Sequence, residues 1–276
     1  MTALALKSYI AVVSTRFRTL LQYRIAAIAG IVTQVFWGLM KLMVFSAFYE
    51  VAQNQPPLSF ESIVAYVWLG QCLFALFPYN VDPDMRAMFN SGSVAYDMLR
   101  PLSLYAYWFS RTLAFRTAPT VLRLVPGLFF AFVVLRLVGL DEWVMPLPPS
   151  FVAAFSFFIS ILLTVALSAS IMMLVSISMF WLIDSRGMVN LMAGVVWVLG
   201  GMIIPLPLFP DWVQPFLSWQ PFRGLCDIPF RIYSGDIAGF EIVGELVFQL
   251  AWVAILVLAG VWLMRRAQVK LTVQGG

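Results

Sequence analysis

From Phe151 to Ile204 the only charged side chains are Asp184 and Arg186. No soluble core of ordinary size can hide such a stretch, whereas a bilayer accepts it because the surrounding solvent is hydrocarbon. Comparable apolar runs occupy residues of about 25–49, 63–79, 117–138, 151–183, 187–204 and 242–264. Roughly 20 such residues in a helix cross a membrane. The sequence therefore predicts an all-α membrane protein of about six spans. The run at 151–183 is longer than a crossing needs, so that span tilts or projects beyond the bilayer. Composition agrees: 62% of residues are apolar and 11% charged, against roughly 45–50% and 25% in soluble domains. No polar stretch is long enough to fold separately, so residues 1–276 read as a single membrane domain.

Basic residues set the orientation. With the N-terminus inside, Lys7, Arg16, Arg18, Arg24, Arg86, Arg100, Arg111, Arg116, Arg186, Arg265, Arg266 and Lys270 fall on the inner side, and only Arg136, Arg223 and Arg231 on the outer. That bias predicts both ends in the cytoplasm. Acids gather in the opposite loops: Glu50, Glu61, Asp141, Glu142, Asp211, Asp227 and Asp236. Residues 2–20 alternate apolar and polar positions at helical spacing. They predict an amphipathic helix lying in the inner interface or, alternatively, a plain extension of the first span. Three arginines precede a first apolar run of about 25 residues, which does not fit a cleaved leader.

Several function classes drop out. Histidine is absent, which removes His-dependent nucleophile systems and His-ligated metal sites. Lys7, Lys41 and Lys270 are the lysines, and none follows a glycine-rich loop, so no phosphate-binding P-loop is present. The net charge of +4 describes topology and shows no basic, aromatic-interleaved nucleic-acid surface. Paired acids that could serve a membrane enzyme, Asp82/Asp84, Asp141/Glu142 and Glu241/Glu245, lie in loops or at helix ends. No carboxylate sits mid-span, which weighs against an ion-coupled secondary transporter or channel, the alternative transport class. Two cations do fall within spans. Lys41 is expected to snorkel toward the outer interface near Glu50, with a substrate or ion-pair role as the other reading. Arg123 is expected to reach inward or to meet Asp184.

Two interruptions carry the remaining information. In the first, Asp82 is placed to cap a short helix, with Pro83 at its first position and Asp84 in its first turn. The helix runs through Met85, Arg86, Ala87, Met88 and Phe89 and stops before Gly92. Its Met and Phe face needs a docking surface, either the chain's own inner surface or a cytoplasmic partner. In the second, Pro205, Pro207 and Pro210 break the fifth span. Ser156, Ser160, Thr164 and Ser168 recur at every fourth position of the fourth span and share one face. That stripe either packs helices closely or lines a pathway.

The run Met85-Arg86-Ala87-Met88-Phe89-Asn90-Ser91-Gly92, continued by Asp97-Met98-Leu99-Arg100-Pro101-Leu102-Ser103 and Tyr107, resembles the segment after span two of ABC-2 type transporter permeases. Pro205-Leu-Pro-Leu-Phe209-Pro210-Asp-Trp212, followed by Pro221-Phe222 and Pro229-Phe230, resembles their outer segment between spans five and six. The likeness extends over nearly the whole chain; Met98 departs from the usual leucine.

The resemblance implies the membrane subunit of an exporter in a bacterial plasma (inner) membrane. Two separately encoded ATPase subunits would use ATP and magnesium, and this chain would bind neither. A second permease, identical or paralogous, would complete the pathway. Pro83, Asp84, Met85, Arg86, Met88, Phe89, Gly92, Arg100 and Pro101 would form the surface coupled to the ATPase. Pro205, Phe209, Trp212 and Phe222, in a pair of short re-entrant helices, would form an outer gate or else a structural plug.

Overall fold

The computed structural model describes residues 3–52, 55–182 and 186–270. Helix accounts for 79% of it, and no strand forms among the described residues. The order is α1 (Ala3–Leu20), α2 (Arg24–Val51), α3 (Phe60–Cys72), α4 (Pro83–Asn90), α5 (Val94–Met98), α6 (Leu104–Phe129), α7 (Leu135–Leu137), α8 (Phe151–Ser178), α9 (Arg186–Leu199), α10 (Gln214–Trp219), α11 (Asp227–Ser234) and α12 (Glu241–Lys270).

Helix starts follow local chemistry. Ser59, Asp82 and Ser150 accept hydrogen bonds from the backbone N–H of Ser62, Asp84 and Ala153 at 3.0, 3.0 and 3.1 Å. Each satisfies a donor that the first helical turn leaves orphaned. Gly235, at φ +84°, ends α11 in the left-handed region, where L side chains are strained.

Helix α3 is the centre. Every residue from Ser62 to Cys72 is buried, as befits a helix that is apolar all round. Trp68 in its middle donates to the carbonyl of Trp143 at 2.9 Å. Around it stand α2, α6 and α11, while α8 packs on α6, α11 and α12. A second apolar cluster forms at the α4 end, joining Met85, Trp108, Met173 and Met264.

Among the described residues four helices are long and apolar enough to cross a membrane: Ile28–Val51, Leu104–Leu137, Phe151–Ser178 and Glu241–Val269. The second and fifth spans are shorter than expected. Helix α3 stops at Cys72 and gives way to a 3₁₀ turn, Phe74–Leu76, so 63–79 is not continuous helix. Helix α9 has 14 residues and ends at Leu199, before Ile204. The fourth span is helical to Ser178.

The third span starts earlier than expected. Helix α6 runs unbroken from Leu104, turns once as a π-helix at Phe130–Val134, and continues into α7. The expected boundary near Thr117 is absent because the charges of Arg111 and Arg116 find partners at the helix surface. Pro119 and Pro126 lie inside it, tolerated where neighbours re-satisfy the freed carbonyls.

Candidate functional site

The short helix α4 has the expected bounds, with Pro83 in its first turn and Gly92 beyond its end at φ +71°. Its apolar face is turned to the chain itself. Met85 is 1% exposed. The ring of Phe89 lies 5.5 Å from Trp108 and 4.8 Å from Phe180, edge to face. Met88 is half-buried against the same cluster, with the Arg111 guanidinium 3.7 Å from its sulfur.

Charge fixes the N-terminal end of α4. Arg16 of α1 donates to Asp82 at 2.9 Å and pairs with Asp84 at 2.6 Å, while Arg111 of α6 lies 3.8 Å from Asp82. Burial works to lower the Arg16 pKa, but the two carboxylates outweigh it and hold this pKa above its ordinary value. The loop leading into α4 is held separately. Arg116, almost fully buried, donates to the carbonyl of Phe77 at 2.9 Å, to the Asn80 side chain at 2.8 Å, and to the Asn80 carbonyl. Beyond α4, Asp97 accepts from Arg100 at 3.0 Å and from the Trp108 indole at 3.1 Å.

The opposite face of this hairpin is open. Pro83, Asp84, Ala87 and Asn90 recur along one side of α4 and are exposed, as are Gly92, Arg100 and Pro101, while Arg86 is half-buried. Tyr96 and Leu99, at 73% and 81% exposure, add two large apolar side chains to the same stretch.

At the other end of the molecule the segment after α9 is broken as the prolines predict. Gly201, at φ +84°, turns the chain where a Cβ would collide with the Tyr66 hydroxyl. Lys41 reaches this break and donates to the Met202 carbonyl at 2.5 Å. Its hydrogen-bond partner is thus a carbonyl freed where the helix breaks, whereas the sequence pointed toward Glu50. Helices α10 and α11 follow, with Trp212 and Trp219 at 82% and 77% exposure. Pro205 is buried, and Phe209 and Phe222 are half-buried. Arg223 bridges to Glu245 of α12 at 2.6 Å and faces Asp227 at 3.9 Å, tying this segment to the last helix.

The sequence matches the family described as ABC-2 family transporter protein over residues 35–275. The chain belongs to the ABC-2 transporter family. It is accordingly a multi-pass membrane component of ABC transport, a class that associates with ATPase subunits. No curated protein and no solved structure matched it.

In this ABC-2 chain the hydroxyl stripe of α8 is buried along its whole length. Ser160 donates to the side chain of Gln249 on α12 at 2.8 Å, Thr164 to the carbonyl of Gly224 at 3.0 Å, and Ser168 to that of Leu76 at 2.5 Å. Gln249 returns a bond to Gly224 at 2.8 Å. Ser156 is buried on the same face. These contacts favour close packing over a pathway lining.

Arg123 lies against Gly30 of α2, where any Cβ would meet the guanidinium at 2.8 Å. With its amide turned to suit its neighbours, Gln34 accepts from Arg123 at 3.3 Å and donates to the Gln71 carbonyl at 3.3 Å. The other expected partner, Asp184, lies outside the described residues. Sequence reasoning missed Arg16, Arg116 and Gln249. Arg16 and Arg116 stood out only as basic residues flanking apolar runs, with partners 66 and 36 residues away; Gln249 had no signal beyond being polar within an apolar run.

Proposed function

We propose that this chain is the permease subunit of an exporter whose ATPase is encoded separately, with α4 as its coupling helix. One observation carries the reading. The inner face of α4 is anchored to α1 and α6 through Arg16, Arg111 and Trp108, while its outer face and the neighbouring Tyr96 and Leu99 are uncovered. A push on that surface reaches α6, a continuous helix that runs on through the membrane. This is a rigid link of the kind a nucleotide-driven two-state change requires.

The positive-inside bias puts this hairpin and both termini in the cytoplasm. Six crossings result when α3 with the turn after it, and α9 with the broken segment after it, complete two spans. Two ATPase subunits and a second permease form the assembly in a bacterial inner membrane, and substrate passes between the permeases. The segment from Pro205 to Ile237 then caps the outer end. Its Trp212 and Trp219 anchor at the interface, and Pro205, Phe209 and Phe222 form the inner surface of an exit lid.

Cross-linking tests the assignment. With the ATPase co-expressed, Ala87→Cys and Leu99→Cys should capture it with a short bifunctional maleimide reagent, and Ser218→Cys should not. Capture from Ser218→Cys alone would overturn the reading.

A further inference from the structure

Lys41 is the feature that the coupling mechanism leaves unused. A cavity of 480 Å³ opens between α2 and the broken segment after α9, and apart from Lys41 its lining is apolar, including Trp37, Met40, Val44 and Ile204. That volume is typical of small-molecule sites. The walls are laterally open, with Trp37, Met40, Val44 and Ile204 each more than two-fifths exposed.

An ammonium has three donor hydrogens. Among the described residues the fold gives this one a single acceptor, the Met202 carbonyl, and no carboxylate pairs with it. An intramembrane cation without a counter-ion costs several kcal/mol on most scales, so the charge of Lys41 favours an anionic occupant of this groove. Lys41 lies about ten residues, ~15 Å, below the end of α2. A second cavity of 530 Å³, lined by Gln55 and Asp211 among others and sharing Phe48 and Leu208 with the first, leads outward from there. Lys41 is thus reached from outside through a cavity whose lining carries two polar side chains, while Met40 and Trp37 continue the apolar wall inward along α2. Asp211 at the mouth repels an anion, which leaves Lys41 as the seat.

We propose that this groove binds a phospholipid of net negative headgroup, with a headgroup oxygen on Lys41 Nζ and an acyl chain along Trp37 and Met40. The inference rests on the permease reading only in setting α2 across a bilayer.

The test uses the purified full chain without any ATPase, so its failure leaves the coupling proposal standing. The chain is placed in nanodiscs of equal phosphatidylglycerol and phosphatidylcholine, and the lipid retained on release is counted by native mass spectrometry. Wild type should prefer phosphatidylglycerol by about tenfold or more, the worth of one charge-assisted hydrogen bond. Lys41→Gln should abolish the preference and Lys41→Arg should keep it. Ile204→Trp, which narrows the groove and leaves the cation, should also lose it, and Arg136→Gln should not. An unchanged preference in Lys41→Gln would overturn the site. Loss in Lys41→Gln with full retention in Ile204→Trp would overturn the groove. Equal retention of both lipids by wild type, with Val44→Cys cross-linking between two copies, would place a second copy there instead.

Discussion

Arg16 stands 66 residues from Asp82 in sequence, yet its guanidinium grips both acids at the start of α4. Its planar fork suits that two-carboxylate geometry better than an ammonium does. Arg16→Ala leaves Asp82, nearly inaccessible to solvent, with Arg111 alone at 3.8 Å. Breaking a buried pair costs about 3–5 kcal/mol, and the remaining arginine offsets part of that. The variant should unfold at lower temperature in a detergent thermal-shift assay, and Arg16→Lys should fall between. An unshifted midpoint for Arg16→Ala would show that the pair contributes nothing. Residue types at this end were legible: Asp82, Pro83 and Gly92 occupy the cap, first-turn and terminating positions that their chemistry demands. Lys41 was not, because its acceptor is a backbone carbonyl 161 residues away, and no side-chain pattern announces a carbonyl freed by a helix break.

Among the elements, α8 and α12 are joined by a compact polar cluster inside an apolar interface. Ser160, Thr164 and Gln249 satisfy one another and the Gly224 carbonyl. Gln249→Leu strands acceptors and hydroxyls that have no water to turn to, at about 1–3 kcal/mol for an unsatisfied buried group. We expect reduced thermal stability and looser association of the α10–α11 segment, measured by faster backbone hydrogen exchange at Leu225 and Cys226. Unchanged exchange there would show that the cluster does not hold that segment. The hydroxyl stripe was visible from its spacing alone; its partners were not, since spacing within one helix says nothing of which neighbour faces it. Element lengths misled for a related reason. Hydropathy extended the second span to Tyr79, but α3 needs no helix beyond Cys72 because the following turn is buried against α6 and α8. Charge suggested a boundary before Thr117, but Arg116 meets the Phe77 and Asn80 carbonyls, so the helix passes through.

For the whole molecule, family membership and the all-helical architecture agree with the hydropathy and resemblance that the sequence presents. The basic residues predict the sidedness, and it is directly measurable. In intact cells a membrane-impermeant maleimide should label Ser218→Cys and spare Ser91→Cys until the membrane is opened; Cys72 and Cys226 are both buried and stay silent. The reverse pattern would invert the molecule and remove α4 from the side that holds ATP. Coupling is the larger question. Charges placed at Met88 or Phe89 would disturb the chain's own packing, because both face Trp108 and its neighbours. The informative positions are the exposed ones. The most direct measurement is co-purification of the ATPase with the Ala87→Glu, Leu99→Asp double variant, in which the permease elutes as wild type on size exclusion. The account predicts loss of the ATPase by at least about tenfold, roughly 1.4 kcal/mol or more of association. ATPase recovered at the wild-type level with that variant would contradict it.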